Sequence, residues 1–473
     1  MSVSCPRLVI AGTAGDSGKT MASMGLLAAW RAAGLRPAAF KKGPDYIDAA
    51  WLGRAAERPC RNLDTYLQPS AALLRSFRAH ASSGINLIEG NRGLLDGVDA
   101  QGTHSTAALA RLLQAPVLLV VNAAKVTRTV AAPVLGCLKL EPELEMMGVL
   151  LNRVAGGRHL EQTRRAVEEL TGVPVLGFLP RLEENLLPDR HLGLLPPEEH
   201  AGAASIAGRL GALCREHCDC DRILEAARAA PALEGDGPGT ATLPPLGSAI
   251  RVGVFRDSAF TFYYPENLEA LAAAGARLCF LSPLEVQELP ELDALYIGGG
   301  FPETHAERLS RNQGLQASVR EAAARGLPIY AECGGLIFLS RSVAVRGVVH
   351  PMADVLPVEL ELCARPQGHG YVELLVDVEN PLFPVGTELR GHEFHYTRIR
   401  TSGGGDLAGA PGVEAGLLPP SIFRVLKGSG CGGGRDGLVY RNVVAGYTHL
   451  HALGVPQWAP ALVRLATRAK QQP

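Results

Sequence analysis

Two short stretches concentrate the residues able to do chemistry. The first, Gly12-Thr13-Ala14-Gly15-Asp16-Ser17-Gly18-Lys19-Thr20, joins the apolar run LVIAG to a helix-like segment that begins near Lys19. Gly12, Gly15 and Gly18 permit tight turns and close backbone approach. Successive N–H groups and the helix N-terminus then form an anion cradle. In such a loop the lysine reaches the terminal phosphates of a nucleotide and the threonine hydroxyl is offered to Mg²⁺. The spacing departs from the common motif, with five rather than four residues between Gly12 and Gly18. A glycine-rich turn that binds nothing is the alternative; the order strand, loop, Gly-Lys-Thr, helix argues against it.

A phosphate loop needs carboxylates for its cation. Asp45 and Asp48, in FKKGPDYIDAAW, and Glu89 and Asp96, in LIEGNRGLLDG, follow strand-like runs. The ends of parallel strands are where open α/β sheets bind ligands. Mg²⁺ takes a few carboxylates together with phosphate oxygens and water. All four carboxylates are candidates for the cation, and Lys41 and Arg92, on the same loops, could meet phosphates or substrate carboxylates. For any one of these aspartates a helix cap is an equally good reading.

The second stretch is LPIYAECGGLIFL, which sets Cys333 between a strand and a helix. A cysteine at such a sharp turn resembles a nucleophile elbow, where the helix N-terminus is expected to lower the thiol pKa. Backbone N–H groups of Gly299 or Gly300, in YIGGGFPE, with that of Gly334, would form an oxyanion hole. His449, in GYTHLHALG, is the expected base. The competing reading is a cysteine packed in the core. A third cluster, Cys214, His217, Cys218 and Cys220, fits no common zinc spacing. A metal site there is a minor alternative to an exposed helix end.

The elements that must position these residues follow from periodicity. Strand-like runs PRLVIAG, RPAAFK, INLIEG, PVLLVVN, MMGVLLNRV and PVLGFLP alternate with helical stretches, which implies a parallel sheet covered on both faces. Residues 231–248, rich in Pro and Gly, read as a linker. A second alternating series begins at IRVGVF, with antiparallel additions near residues 355–400, and GSGCGGGRDG, 428–437, reads as a flexible loop. The expected organisation is residues 1–230, a linker at 231–248, and residues 249–473. The fold class is α/β, with two parallel-sheet domains.

The 473 residues suffice for two cores, and 47% hydrophobic with 20% charged residues is typical of a globular enzyme. A net charge of −1 supplies no global field to draw in nucleic acid or an anionic membrane. No run approaches the roughly 20 apolar residues that span a bilayer, and no signal peptide is read, so a cytoplasmic protein is expected. The ten cysteines show no disulfide framework.

The phosphate loop with its extra residue is similar to that of dethiobiotin synthetase. KKGPDYID, EGNRGLLDG, GVLLNRV, YIGGGFPE, AECGGL, GHEFHYTRI and YTHLHA, in that order and over almost the whole chain, resemble the cobyrinic acid a,c-diamide synthase family. The resemblance implies a P-loop synthetase domain joined to a class I glutamine amidotransferase domain. Glutamine would be hydrolysed at Cys333 with His449. ATP would activate a carboxylate of a tetrapyrrole-derived polycarboxylate, and ammonia would convert it to the amide, at the a and c acetates. Asn152 is similar to the adenine-reading Asn of the relatives, and the resemblance implies Mg²⁺ at Thr20, Asp45 and Glu89, with Lys41, Asp48, Arg92 and Asp96 at the substrate. A homodimer is also compatible.

Two departures stand out. The usual Glu two residues after the catalytic His is here His451. EGNRGLLDG, KKGPDYID and KVTRT lean toward relatives that amidate sirohydrochlorin or sirohaem. The non-enzymatic alternative, a partitioning-type ATPase switch, would need neither Cys333 nor glutamine.

Overall fold

The alternation of apolar residues along β1 (Arg7–Gly12) shows how the first half is built. Leu8 and Ile10 enter the core on one face of a sheet, Val9 and Ala11 the core on the other. The computed structural model describes residues 5–187, 189–190, 193–200, 202–233, 250–400 and 419–471. Contacts divide the chain into two units, residues 1–240 and 241–473. Most of the 231–248 segment read as a linker lies outside the described residues.

In the first unit β2 (Pro37–Lys42), β3 (Arg61–Leu63), β4 (Ile85–Glu89), β5 (Val117–Asn122), β6 (Met146–Val154) and β7 (Val175–Pro180) join β1 in a parallel sheet of order β3-β2-β4-β1-β5-β6-β7. Near-continuous burial along each strand reflects helices on both faces. The register sets Lys41 beside Glu89, and Glu89 beside Ile10 of β1. The phosphate loop and both carboxylate loops therefore leave the same edge of the sheet. A short hairpin, β8 (Asp189–Arg190) and β9 (Gly193–Leu194), follows.

The second unit holds a ten-stranded sheet. Its parallel part runs β11 (Ala276–Leu281), β10 (Ile250–Phe255), β12 (Ala294–Ile297), β13 (Ile329–Glu332) and β22 (Val443–Gly446). From β22 it turns antiparallel through β21 (Arg435–Tyr440), β20 (Ser421–Lys427), β17 (Gly368–Val376), β18 (Glu388–His395) and β23 (His449–Leu450). A separate four-stranded sheet comprises β14 (Ser342–Val345), β15 (Val348–Pro351), β16 (Glu359–Leu362) and β19 (Thr397–Ile399). The antiparallel additions are thus more extensive than the sequence suggested.

The loop at 428–437 corrects its reading. Its glycines are pinned by a buried acid: Ser429 N and Gly430 N donate to the Glu393 carboxylate at 2.6 and 2.8 Å, and Cys431 is buried. Glycine here supplies left-handed backbone, as at Gly430 (φ 59°), rather than slack. Among the described residues no helix is long and apolar enough to cross a membrane.

Candidate active sites

The phosphate loop opens the helix Lys19–Ala32. Gly18 stands at its N-cap with φ 99° and no side-chain cap, which leaves the first N–H groups to an anion. A methyl on Gly18 would lie 2.0 Å from Asn152 Nδ2. That amide donates to Ser17 O at 2.8 Å while Arg153 N donates to its Oδ1 at 2.9 Å. Asn152 therefore braces the loop from β6, a contact the sequence did not indicate. Thr13 N donates to Val120 O at 3.4 Å, tying the loop to β5, and a methyl on Gly15 would meet nothing within 4 Å. Lys19 Nζ donates to Ala14 O at 3.0 Å. Burial, reinforced by the neighbouring Lys41 charge, lowers the Lys19 pKa.

Thr20 Oγ1 donates to Glu89 Oε1 at 3.0 Å, so the hydroxyl and carboxylate expected at the metal are adjacent. Glu89 Oε2 is buried and, among the described residues, accepts no hydrogen bond. A buried carboxylate oxygen without a donor fits a cation.

Lys41 corrects its expected role. Its ammonium is buried among acids, 2.7 Å from Asp48 Oδ2, 2.6 Å from Glu89 Oε1 and 4.0 Å from Asp45 Oδ2. Burial alone would lower its pKa, but the carboxylates of Asp48, Glu89 and Asp45 hold it well above the usual lysine value. Asp48, paired to Lys41, stays below the usual carboxylate range despite burial. Burial raises Glu89 against the pull of Lys41, and burial with the Asp48 charge pushes Asp45 up to about 7. Asp45 Oδ1 also accepts Asp48 N at 3.0 Å, and Asn62 Nδ2 donates to Gly43 O and Asp45 O, fixing the KKGPDYID loop.

Asp96 Oδ2 accepts Gly93 N at 2.8 Å, which makes it a brace of its own turn. Arg92 is exposed, with φ 51°. It lines a cavity of about 1240 Å³ together with Lys19, Lys41, Asp45, Lys125, Asn152, Arg153 and Arg181. Lys125, Arg153 and Arg181 were not singled out from sequence, since lone exposed cations are the commonest surface feature. The cavity exceeds the range typical of one small ligand.

In the second unit Cys333 follows β13 with φ 48° and ψ −95°, a strained conformation for a non-glycine residue. Its amide donates to Gly446 O at 2.7 Å, so the turn is clamped to the end of β22, three residues before His449. The thiol departs from expectation. Burial, then the Glu303 charge, raise its pKa, outweighing the Gly334 N–H that lowers it. The helix behind it, Gly334–Leu339, is short, so desolvation dominates.

Gly299 and Gly300 approach this turn closely. A methyl on Gly334 would sit 3.0 Å from Gly300 N, one on Gly299 2.4 Å from His449 Cε1, and one on Gly300 2.2 Å from Ala259 O. Gly334, next to Cys333, thus packs against Gly299 and Gly300, and Gly299 abuts His449. Tyr263 Oη accepts Gly298 N at 2.8 Å and orders that loop. His392 stacks on His449 with ring centroids 4.9 Å apart. Burial, with His449, His451 and His369 nearby, holds its pKa well below the usual value, so it is neutral. His451 Nε2 lies 3.8 Å from Glu266 Oε2.

The cysteine cluster is resolved differently from either sequence reading. Cys214 is fully buried, at a point where a methyl on Gly25 would be 2.4 Å from its sulfur, and His217 stacks on Phe178. Among the described residues no group of three or more His, Cys, Asp or Glu could hold a metal.

Comparison with known proteins agrees with both halves. Residues 8–194 match the CobQ/CobB/MinD/ParA nucleotide binding domain and residues 251–456 the CobB/CobQ-like glutamine amidotransferase domain. The chain is 43% identical to cobyrinate a,c-diamide synthase of Magnetococcus marinus, covering 97% of each chain. It is 38% identical to that of Methanothermobacter thermautotrophicus, covering 97% of this chain and 99% of the relative. With that of Dehalococcoides mccartyi it shares 39% over 98% of both. With a nucleotide binding domain and a glutamine amidotransferase domain in one chain, the protein belongs to the cobyrinate a,c-diamide synthase family of glutamine-dependent amidating ligases.

Proposed function

We propose that this enzyme converts the a and c acetate carboxylates of cobyrinate to carboxamides, using ATP and glutamine. The observation that carries the reading is the strained Cys333 turn beside His449 in a chain that also holds a Gly-Lys-Thr loop against a buried carboxylate. Residues 1–230 form the synthetase part and residues 249–473 the amidotransferase part, joined by 231–248.

In the amidotransferase part Cys333 Sγ adds to the carboxamide carbon of glutamine. Its proton passes through His449 to the ammonia that leaves as the C–N bond breaks. Water then cleaves the glutamyl thioester. Because burial keeps Cys333 protonated, His449 must take its proton during attack. The N–H groups of Gly334 and of Gly299 or Gly300 receive the oxyanion.

In the synthetase part the loop from Gly12 to Thr20, including Thr13 and Gly15, cradles ATP phosphates, and Lys19 turns to the terminal ones. Asn152 holds the loop and keeps a second amide hydrogen for adenine. Thr20, Asp45 and Glu89 would hold Mg²⁺, which supplies charge neutralisation on the phosphates when bound. A substrate carboxylate takes the terminal phosphoryl group, ADP leaves, and ammonia displaces phosphate. Lys41 positions Asp48 and Glu89 from within. Arg92, Lys125, Arg153 and Arg181 offer cations to a polycarboxylate.

Arg92 at the cavity rim also suits sirohydrochlorin or sirohaem, the second reading. The test is a panel of cobyrinate, hydrogenobyrinate, sirohydrochlorin and sirohaem with ATP, Mg²⁺ and glutamine, read by mass. Two amide conversions on cobyrinate support the proposal. Conversion only of a sirohaem-type macrocycle moves the assignment to the second reading. Absence of glutaminase activity refutes both. Cys333→Ser is expected to abolish glutamine use and to keep amidation with free ammonia; loss of both would count against a separate nucleophile.

A further inference from the structure

The amidotransferase unit lacks the carboxylate expected two residues after His449. Glu332, the residue immediately before the nucleophile, lies on the other side of that imidazole. Its Oε2 is 3.5 Å from His449 Nδ1, with both side chains almost wholly buried. Three donors fix the carboxylate. Leu450 N and Tyr330 Oη reach Oε1 at 3.0 and 3.1 Å, and Tyr296 Oη reaches Oε2 at 3.1 Å. One of these, Leu450 N, belongs to the residue next to His449, so the same carboxylate pins strand β23 and faces the ring.

The opposite edge of the ring is defined too. A methyl on Gly299 would lie 2.4 Å from Cε1 and 3.2 Å from Nε2, which turns Nε2 toward the glycine loop around Cys333. His451, in the expected position, is directed to Glu266 instead.

We propose that Glu332 is the positioning residue of the Cys333–His449 pair, accepting His449 Nδ1–H so that Nε2 is the base and the imidazolium formed during attack is stabilised. The inference rests on the amidotransferase reading given above. The strand supplies the orienting acid and the turn that follows supplies the nucleophile, so two members of the set are consecutive residues. That is geometrically open because Cys333 leaves the strand at φ 48° rather than continuing its alternation. A 3.5 Å separation is long for a hydrogen bond, and such catalytic bonds shorten once substrate is bound. Among the described residues, other titratable groups near His449 include the stacked, neutral His392 from β18 and His451 on its own segment; the Cys333 turn, with the Glu303 charge near it, approaches through Gly299.

The test is glutaminase activity of Glu332→Gln. The expected result is a fall in kcat of about 10²-fold or more with KM for glutamine little changed. A purely structural role would raise KM as kcat falls, whereas the loss expected here is in kcat alone. Near-normal kcat, or a fall in kcat matched by a rise in KM, overturns the proposal. Should circular dichroism show Glu332→Gln unfolded, Tyr296→Phe takes its place. It removes one donor to Oε2 and is expected to lower kcat less, again with KM little changed; an unchanged kcat there is equally fatal. A wild-type protein that fails to hydrolyse glutamine would instead sink the amidotransferase reading itself.

Discussion

Lys41 is the most informative single perturbation in the nucleotide-binding unit. Its ammonium touches Asp48 and Glu89 at 2.7 and 2.6 Å and Gly90 O at 3.2 Å, with Asp45 at 4.0 Å. Lys41→Met keeps the stem length and deletes the charge, leaving three carboxylates around an apolar tip. Removing one partner of a buried ion pair costs about 3–5 kcal/mol, chiefly the desolvation of the charge left behind. For a unit of this size that lowers Tm by roughly 6–20 °C, at ~2–4 °C per kcal/mol.

The pH dependence has a definite sign. Asp45 already titrates near 7 and Glu89 is raised above its ordinary value. A carboxyl raised in the fold stabilises it as pH falls from that value toward the unfolded one, about 4, and loses the effect as pH rises. The deficit of the variant should therefore be greatest above neutrality and shrink on acidification toward about pH 5. Mg²⁺ should restore part of it. Differential scanning calorimetry across pH, with and without Mg²⁺, measures all three. A variant within about 1 kcal/mol of wild type at neutral pH, and equally so in acid, would refute the buried-cation argument.

Three further outcomes are expected. Gly18→Ala sets a methyl 2.0 Å from Asn152 Nδ2 at φ 99°, so ATP affinity should fall about tenfold or more with the fold intact; unchanged affinity by equilibrium binding contradicts the loop geometry. Asp45 is pushed up to about 7, so with the proposed role of its ionised form in holding Mg²⁺, MgATP affinity should rise between about pH 6 and pH 8. Binding at the lower pH should release close to one proton, read by calorimetry in buffers of different ionisation enthalpy, and no release would exclude Asp45 from the site. His451→Glu, which installs the usual amidotransferase residue, should lower Tm and glutaminase activity, since it brings a second carboxylate to buried Glu266; a raised kcat would refute the geometry described for His451.

Much of the frame was legible because it rests on local rules. Apolar strands of five or six residues, the Gly-Lys-Thr sequence at a helix start, and cysteine between a strand and two glycines each announce themselves within a short window. What was not legible depends on partners distant in sequence. The sign of Lys41 suggested phosphate, but the β2–β4 register brings it to Glu89, 48 residues on. GSGCGGGRDG looked slack because composition does not show that Glu393, on another strand, takes two of its amides. The helix N-terminus behind Cys333 was expected to acidify the thiol, but that argument weighs a partial charge without the cost of full burial. Glu332 did carry a signal: an acid at the end of the apolar run LPIYA must be satisfied inside, and a carboxylate next to a nucleophile merits suspicion.

The turn at residue 333 has a consequence for substrate choice. Clamped through its own amide to the end of the neighbouring strand and held in a backbone state that side chains resist, the Cα that carries the sulfur is fixed in place. Only rotation about the Cα–Cβ bond is left to bring the thiol to a substrate, a sweep much shorter than a flexible loop would give. Asparagine, shorter than glutamine by one methylene, would have to be met within that sweep, so discrimination between the two amides becomes a matter of reach.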